Sequence, residues 1–154
     1  MKQPWQVLAA VVVVGLVLLQ LIQPERNVAT APSPEDLMAT HEVPAAVRTI
    51  LETACYDCHS DTTRYPWYAS IQPIAWLIDH DVREGKTELN FSEFGEYSPQ
   101  RLAHKLEEIV EETQEGHMPP GIYVLMHPEA ALSQQQLAQL KTWAEGLAAQ
   151  QARD

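Results

Sequence analysis

The 154-residue chain holds two cysteines, and they fall in one short run, Cys55-Tyr56-Asp57-Cys58-His59. A disulfide scaffold needs several well-spaced pairs, so these thiols supply no covalent frame. The fold must instead rest on a hydrophobic core, and the paired thiols mark a local chemical site. On a helical turn, positions i, i+3 and i+4 share a face, so Cys55, Cys58 and His59 project the same way. Two thiols so spaced reach the two vinyl groups along one edge of a haem, while the adjacent imidazole meets the iron as an axial ligand. The run therefore predicts one covalently bound haem c per chain, with Cys55, Cys58 and His59 as its protein partners. Two other chemistries share the spacing. A dithiol redox centre calls for a thioredoxin-like βαβ pattern, which the sequence lacks. A zinc site calls for a second ligand pair; there is no further C-x-x-C, and the other His are scattered.

A second axial ligand is expected from Gly116-His117-Met118-Pro119-Pro120. Two prolines stiffen that segment and Gly116 allows close approach, so Met118 is the favoured sixth ligand. A thioether opposite an imidazole raises the reduction potential and suits electron transfer. His80, His117 and Met126 are the alternatives.

Hydrophobic patterning predicts an all-α chain. Val43, Val47, Ile50, Leu51 and Ala54 recur at helical spacing and lead into the cysteines. Pro73 is placed to open a second helix carrying Ile74, Leu77 and Ile78 and ending at Gly85. Ser98-Pro99 opens a third with Leu102, Leu106, Ile109 and Val110 on one face, stopping at Gly116. Ser133 and Gln136 have the form of a capping box at the head of a last helix bearing Leu137, Leu140, Ala144 and Leu147.

Before this domain, residues 1–23 read as a transmembrane anchor. Every residue from Val7 to Leu19 is apolar or glycine, about the length that crosses a hydrocarbon core of roughly 30 Å. Lys2 on the short side predicts a cytoplasmic start and a periplasmic remainder, as in a single-pass protein of the bacterial inner membrane. A cleaved signal peptide is the rival, with Ala29-Thr30-Ala31 as its processing site. Residues 24–44, with four prolines and few large apolar side chains, read as a flexible tether. Residues 45–150 then form the haem domain.

Ten Lys and Arg against 21 Asp and Glu give a net charge of -11. Such a field repels nucleic acid and favours redox protein partners with a basic docking surface.

The order of helix, C-x-x-C-H, M-P-P and capped last helix resembles the small monohaem cytochrome c fold of class I. More closely, Cys55 to Ser60 with Tyr65-Pro66-Trp67-Tyr68, Pro73, Trp76, His80, Leu89-Asn90-Phe91-Ser92, Met118-Pro119-Pro120, Tyr123, Met126-His127-Pro128, Leu132-Ser133 and Trp143 resembles the bacterial haem-binding domain family. The resemblance spans about residues 45 to 147. It implies haem binding and a cytochrome c-like helical domain, with the Pro66 carbonyl as acceptor for the His59 ring N–H. Trp67, Trp76, Trp143, Tyr65, Tyr68 and Tyr123 are candidates for pocket walls, with ordinary core packing the competing role. Arg64 and Arg101 are candidates for haem propionates, against plain surface charge. With both axial positions filled, an electron carrier rather than an enzyme is expected. The alternatives are a peroxidase-like haem whose sixth ligand is labile and a haem-based sensor or binding module.

Overall fold

The computed structural model describes residues 3–151. Among them the backbone forms α1 (Pro4–Leu19), α2 (Leu37–Thr40), α3 (Ala45–Ala54), α4 (Tyr56–His59), α5 (Ile74–Glu88), α6 (Pro99–Glu115), α7 (Gly121–Met126) and α8 (Gln134–Gln151). Short 3₁₀ runs lie at Trp67–Ser70, Phe91–Glu96 and Pro128–Ala130. The described residues contain no strand, only an isolated antiparallel bridge between Val28 and Thr62. The all-α expectation holds.

Local chemistry sets the helix limits. Ser98 accepts the Arg101 N–H at the head of α6, and Gly116 closes that helix in the left-handed region, φ 78°. At α8 the expected box forms in both directions. The Ser133 N–H donates to Gln136 Oε1 (2.9 Å) and the Gln136 N–H to Ser133 Oγ (3.3 Å). Helix α5 departs from expectation at both ends. Pro73 is its cap rather than its first residue, and the helix runs through Gly85 to Glu88.

The core joins the buried stripe of α3 (Val47, Ile50, Leu51) to α6 (Leu102, Leu106, Ile109) and α8 (Leu140, Ala144, Leu147). Phe91, Phe94 and Tyr97 pack within it as tilted rings, with centroids 6.0 and 5.2 Å apart. Each large side chain so removed from water contributes about 1.5–3 kcal/mol. This packing fixes the end of α3 and hence the start of the cysteine run.

Two expectations are corrected. No helix among the described residues is long and apolar enough to cross a membrane. Helix α1 has 16 residues, about 24 Å at roughly 1.5 Å per residue, short of a hydrocarbon core of about 30 Å. Lys2, on which the orientation rested, lies outside the described residues. The second concerns residues 24–44, which are held against the domain rather than free. Leu37 is fully buried, and the Asn27 side chain donates to Ser60 O (2.7 Å) and Thr63 Oγ1 (2.9 Å). Lys86 Nζ in turn reaches Asn27 Oδ1 at 2.9 Å. One buried leucine and one polar anchor outweigh a composition that otherwise reads as linker.

Candidate functional site

Helix α3 ends at Ala54, and Cys55 breaks it with φ −127° and ψ −46°. The chain then restarts as the single turn α4. The Cys55 carbonyl accepts from both the Cys58 N–H (3.2 Å) and the His59 N–H (3.0 Å), which sets the i, i+3, i+4 relation that the sequence predicts.

The other two side chains of the turn hold it in place. Tyr56 stacks on Phe91 (centroids 4.9 Å, planes 7° apart), and its hydroxyl donates to Asp36 Oδ1 at 2.9 Å. Burial, reinforced by the Asp36 carboxylate, raises the Tyr56 pKa, so the phenol keeps its proton. Asp57 is buried at 6% exposure and collects four donors. Its Oδ1 takes the Arg64 backbone N–H and Nε, both at 3.0 Å. Its Oδ2 takes an Arg64 terminal nitrogen at 3.1 Å and the Tyr123 hydroxyl at 2.8 Å. A charge taken out of water needs such partners.

His59 is oriented from α5. Its Nδ1 lies 3.0 Å from the Leu89 carbonyl, just past the helix's last residue. A carbonyl only accepts, so the proton sits on Nδ1 and the Nε2 lone pair is free. Burial lowers the His59 pKa against the opposing pull of the Leu89 and Gly85 carbonyls, which keeps the ring neutral. The expected acceptor, Pro66, is thus corrected: its carbonyl takes the Ala69 N–H. Leu89 carries the bond because carbonyls at a helix C-terminus have no partner within the helix.

Gly85 lets α5 approach. A Cβ there would stand 2.8 Å from the Cys58 carbonyl oxygen and 3.3 Å from Cys58 Cβ. The glycine that was expected to end the helix is a contact point within it.

Both thiols are free and half-buried. Burial, with the neighbouring Cys58, pushes the Cys55 pKa up to about 12. Burial, with Asp57 and Asp81, pushes Cys58 up to about 11. A dithiol redox centre needs the opposite shift, toward the thiolate. Among the described residues no group of three or more His, Cys, Asp or Glu side chains is placed to hold a metal ion, which removes support from the zinc alternative.

Met118 lies half-buried between α6 and α7, its N–H donating to Glu112 O at 3.0 Å. His117 is 63% exposed beside Glu112 and Glu115. His80 is 62% exposed and faces Glu84 at 3.4 Å. Met126 is exposed at the end of α7. Cys55, Cys58 and His59 are therefore gathered on one turn, while Met118 belongs to a separate segment.

The aromatic and basic candidates divide. Trp67 is 79% exposed and forms no part of the core. Trp143 packs against the core and donates to Glu42 O at 3.3 Å. The Tyr65 hydroxyl accepts the Asn27 N–H, and that of Tyr68 pairs with His127 Nε2 at 2.7 Å. Arg101 lies over the Tyr97 ring at 4.0 Å. Arg64 serves Asp57. The carboxylate of Asp57 is the site residue that sequence reading missed, and the only hint was an arginine seven positions on.

These donors fit a haem: a neutral imidazole with its Nε2 free, beside two protonated thiols on one helical turn. Helices α5 and α7, which pack on or bond to that turn, carry exposed Leu77, Ile122, Leu125 and Met126, apolar surface suited to a large flat ligand. Fold and site together define a small all-helical haem protein. Residues 14–146 match the family model for the haem-binding domain, and the chain belongs to that family. No curated protein and no solved structure matches the chain.

Proposed function

We propose that the chain is a monohaem c-type cytochrome that carries electrons in the bacterial periplasm. The observation that carries this reading is the turn itself, with unpaired Cys55 and Cys58 beside a neutral His59 whose tautomer is set by Leu89. Cys55 and Cys58 would hold the haem through two thioethers, each S–H adding across one vinyl group with no electron and no leaving group exchanged. His59 Nε2 and the Met118 thioether are the groups that would hold the iron. The haem, once bound, supplies a one-electron couple at its iron. The Leu89 carbonyl keeps His59 a strong donor by drawing on its Nδ1 proton, and buried Phe91 and Leu51 with half-buried Tyr56 exclude water behind the turn. Two protein ligands on the iron would leave no open position for a substrate, which favours a carrier over an enzyme.

The net charge of -11 supports redox partners with a basic docking face. The periplasmic placement rests on c-type haem being attached outside the bacterial cytoplasm.

Intact-mass analysis of protein co-expressed with haem-maturation machinery tests the reading. The expected result is the mass of the polypeptide plus one haem, retained after acid–acetone extraction, and lost in a Cys55→Ala, Cys58→Ala double variant. A polypeptide without added mass overturns it.

A further inference from the structure

Five residues after Met118, Tyr123 reaches across to the cysteine run. Its hydroxyl donates to Asp57 Oδ2 at 2.8 Å, inside a carboxylate that Arg64 has already neutralised. A second, longer contact runs to the Thr53 carbonyl at 3.4 Å. On its other side the Tyr123 ring stacks on His127, with centroids 4.5 Å apart, and Tyr68 holds His127 Nε2 at 2.7 Å. Helix α7 has only six residues, too few to hold their own conformation without tertiary contacts. Met118-Pro119-Pro120 leads straight into it, and two prolines transmit a fixed anchor point with little slack. Nothing in the chemistry proposed above requires Asp57 to meet a tyrosine, since Arg64 alone balances its charge. The one element the bond adds is a connection between the turn that carries His59 and the segment that carries Met118.

We propose that Tyr123 is a positioning residue, whose hydrogen bond to Asp57 holds the Met118 segment in place to supply the second axial ligand. The inference rests on the haem reading and on Met118 as its sixth ligand. It gives Asp57 two tasks: through Arg64, which bonds both oxygens, it steadies the loop after the motif, and through Oδ2 it also pins α7.

The test compares Tyr123→Phe with the parent in the matured full chain. Phenylalanine keeps the ring that stacks on His127 and removes only the hydroxyl. The expected result is unchanged covalent haem and unchanged helical circular dichroism, with a weakened methionine–iron charge-transfer band in the oxidised protein. Carbon monoxide should bind the reduced variant at least about tenfold faster, the gain expected when an axial bond gives up on the order of 1.4 kcal/mol. Amide exchange over residues 117–126 should rise while that of α6 and α8 stays as it was, a readout that needs no haem chemistry. Asp57→Asn combined with Tyr123→Phe should affect the band no more than the stronger single variant, as expected of two groups acting through one bond. A variant with parental band, carbon monoxide rate and exchange overturns the proposal while leaving haem binding intact. A parent whose band survives Met118→Ala overturns the ligand assignment and this proposal with it. A parent without covalent haem overturns all three.

Discussion

Cys58 carries the clearest residue-level consequence of burial. Its pKa rises from 9.0 to about 11, two units that lower the thiolate fraction about 100-fold near neutral pH. The sign is that of an acid whose charged form is disfavoured by folding, so the native chain reacts more slowly at every pH below that value. In chain prepared without haem, iodoacetamide at about pH 8 should alkylate Cys58 roughly 100-fold more slowly in the native state than in urea. Mass spectrometry of timed samples reads this directly, and equal rates in the two states would contradict the buried-thiol account. At this scale the sequence was only partly legible. That Cys55, Cys58 and His59 gather on one turn follows from their spacing alone, because it depends on neighbours one helical turn apart. The partners of Asp57 and His59 do not follow, because Arg64, Tyr123 and Leu89 arrive from elements whose relative placement no local pattern encodes.

Helices differ in how well they announce themselves, and the difference is one of length. Those of ten residues or more in the core, α3, α6 and α8, repeat their apolar stripe often enough to be read, and α6 and α8 carry recognisable caps as well. Helices α2 and α7, with four and six residues, complete too few turns for a period to register. Both are held by contacts instead, α2 through buried Leu37 and α7 through Tyr123. Helix α5 was read correctly as a helix and wrongly at its end, since glycine permits close contact as readily as termination. Two alanine substitutions separate those roles. Gly146→Ala in α8 meets nothing within 4 Å and should stabilise the protein by about 0.5–1 kcal/mol, the usual gain of alanine over glycine in a helix. Gly85→Ala forces a methyl group to 2.8 Å from the Cys58 carbonyl and should cost about 1–3 kcal/mol, as overpacking does. Urea midpoints of the two variants should therefore move in opposite directions; a stabilised Gly85→Ala would show that α5 stands off the cysteine turn.

For the whole molecule, the all-helical class and the haem domain were legible, and the anchoring of residues 24–44 was not. Pro24, Pro32, Pro34 and Pro44 describe a linker by composition, yet a handful of specific bonds decide its state. Lys86 joins Asp61 at 2.7 Å and Asn27 at 2.9 Å, so the segment before the domain and the loop after the motif meet at the C-terminal half of α5. Charge is a property at this same scale. With a net of -11, stopped-flow electron exchange with a cationic redox protein should slow about tenfold between roughly 10 mM and 0.15 M salt, as screening shortens the reach of the field. An anionic partner should speed up over the same range, and a flat salt profile with both would show that net charge plays no part in encounter.

The acceptor for His59 is main chain, and that has an evolutionary corollary. A side-chain acceptor can be exchanged by one codon change; the Leu89 carbonyl persists whatever residue occupies position 89. Leu89→Ala should therefore preserve the bond, and only a shift of the α5 terminus could weaken it. The electron-donating power of the imidazole is in this way insulated from sequence drift at the contact itself. On the cytochrome reading proposed above, tuning of the iron would then fall to residues other than this acceptor.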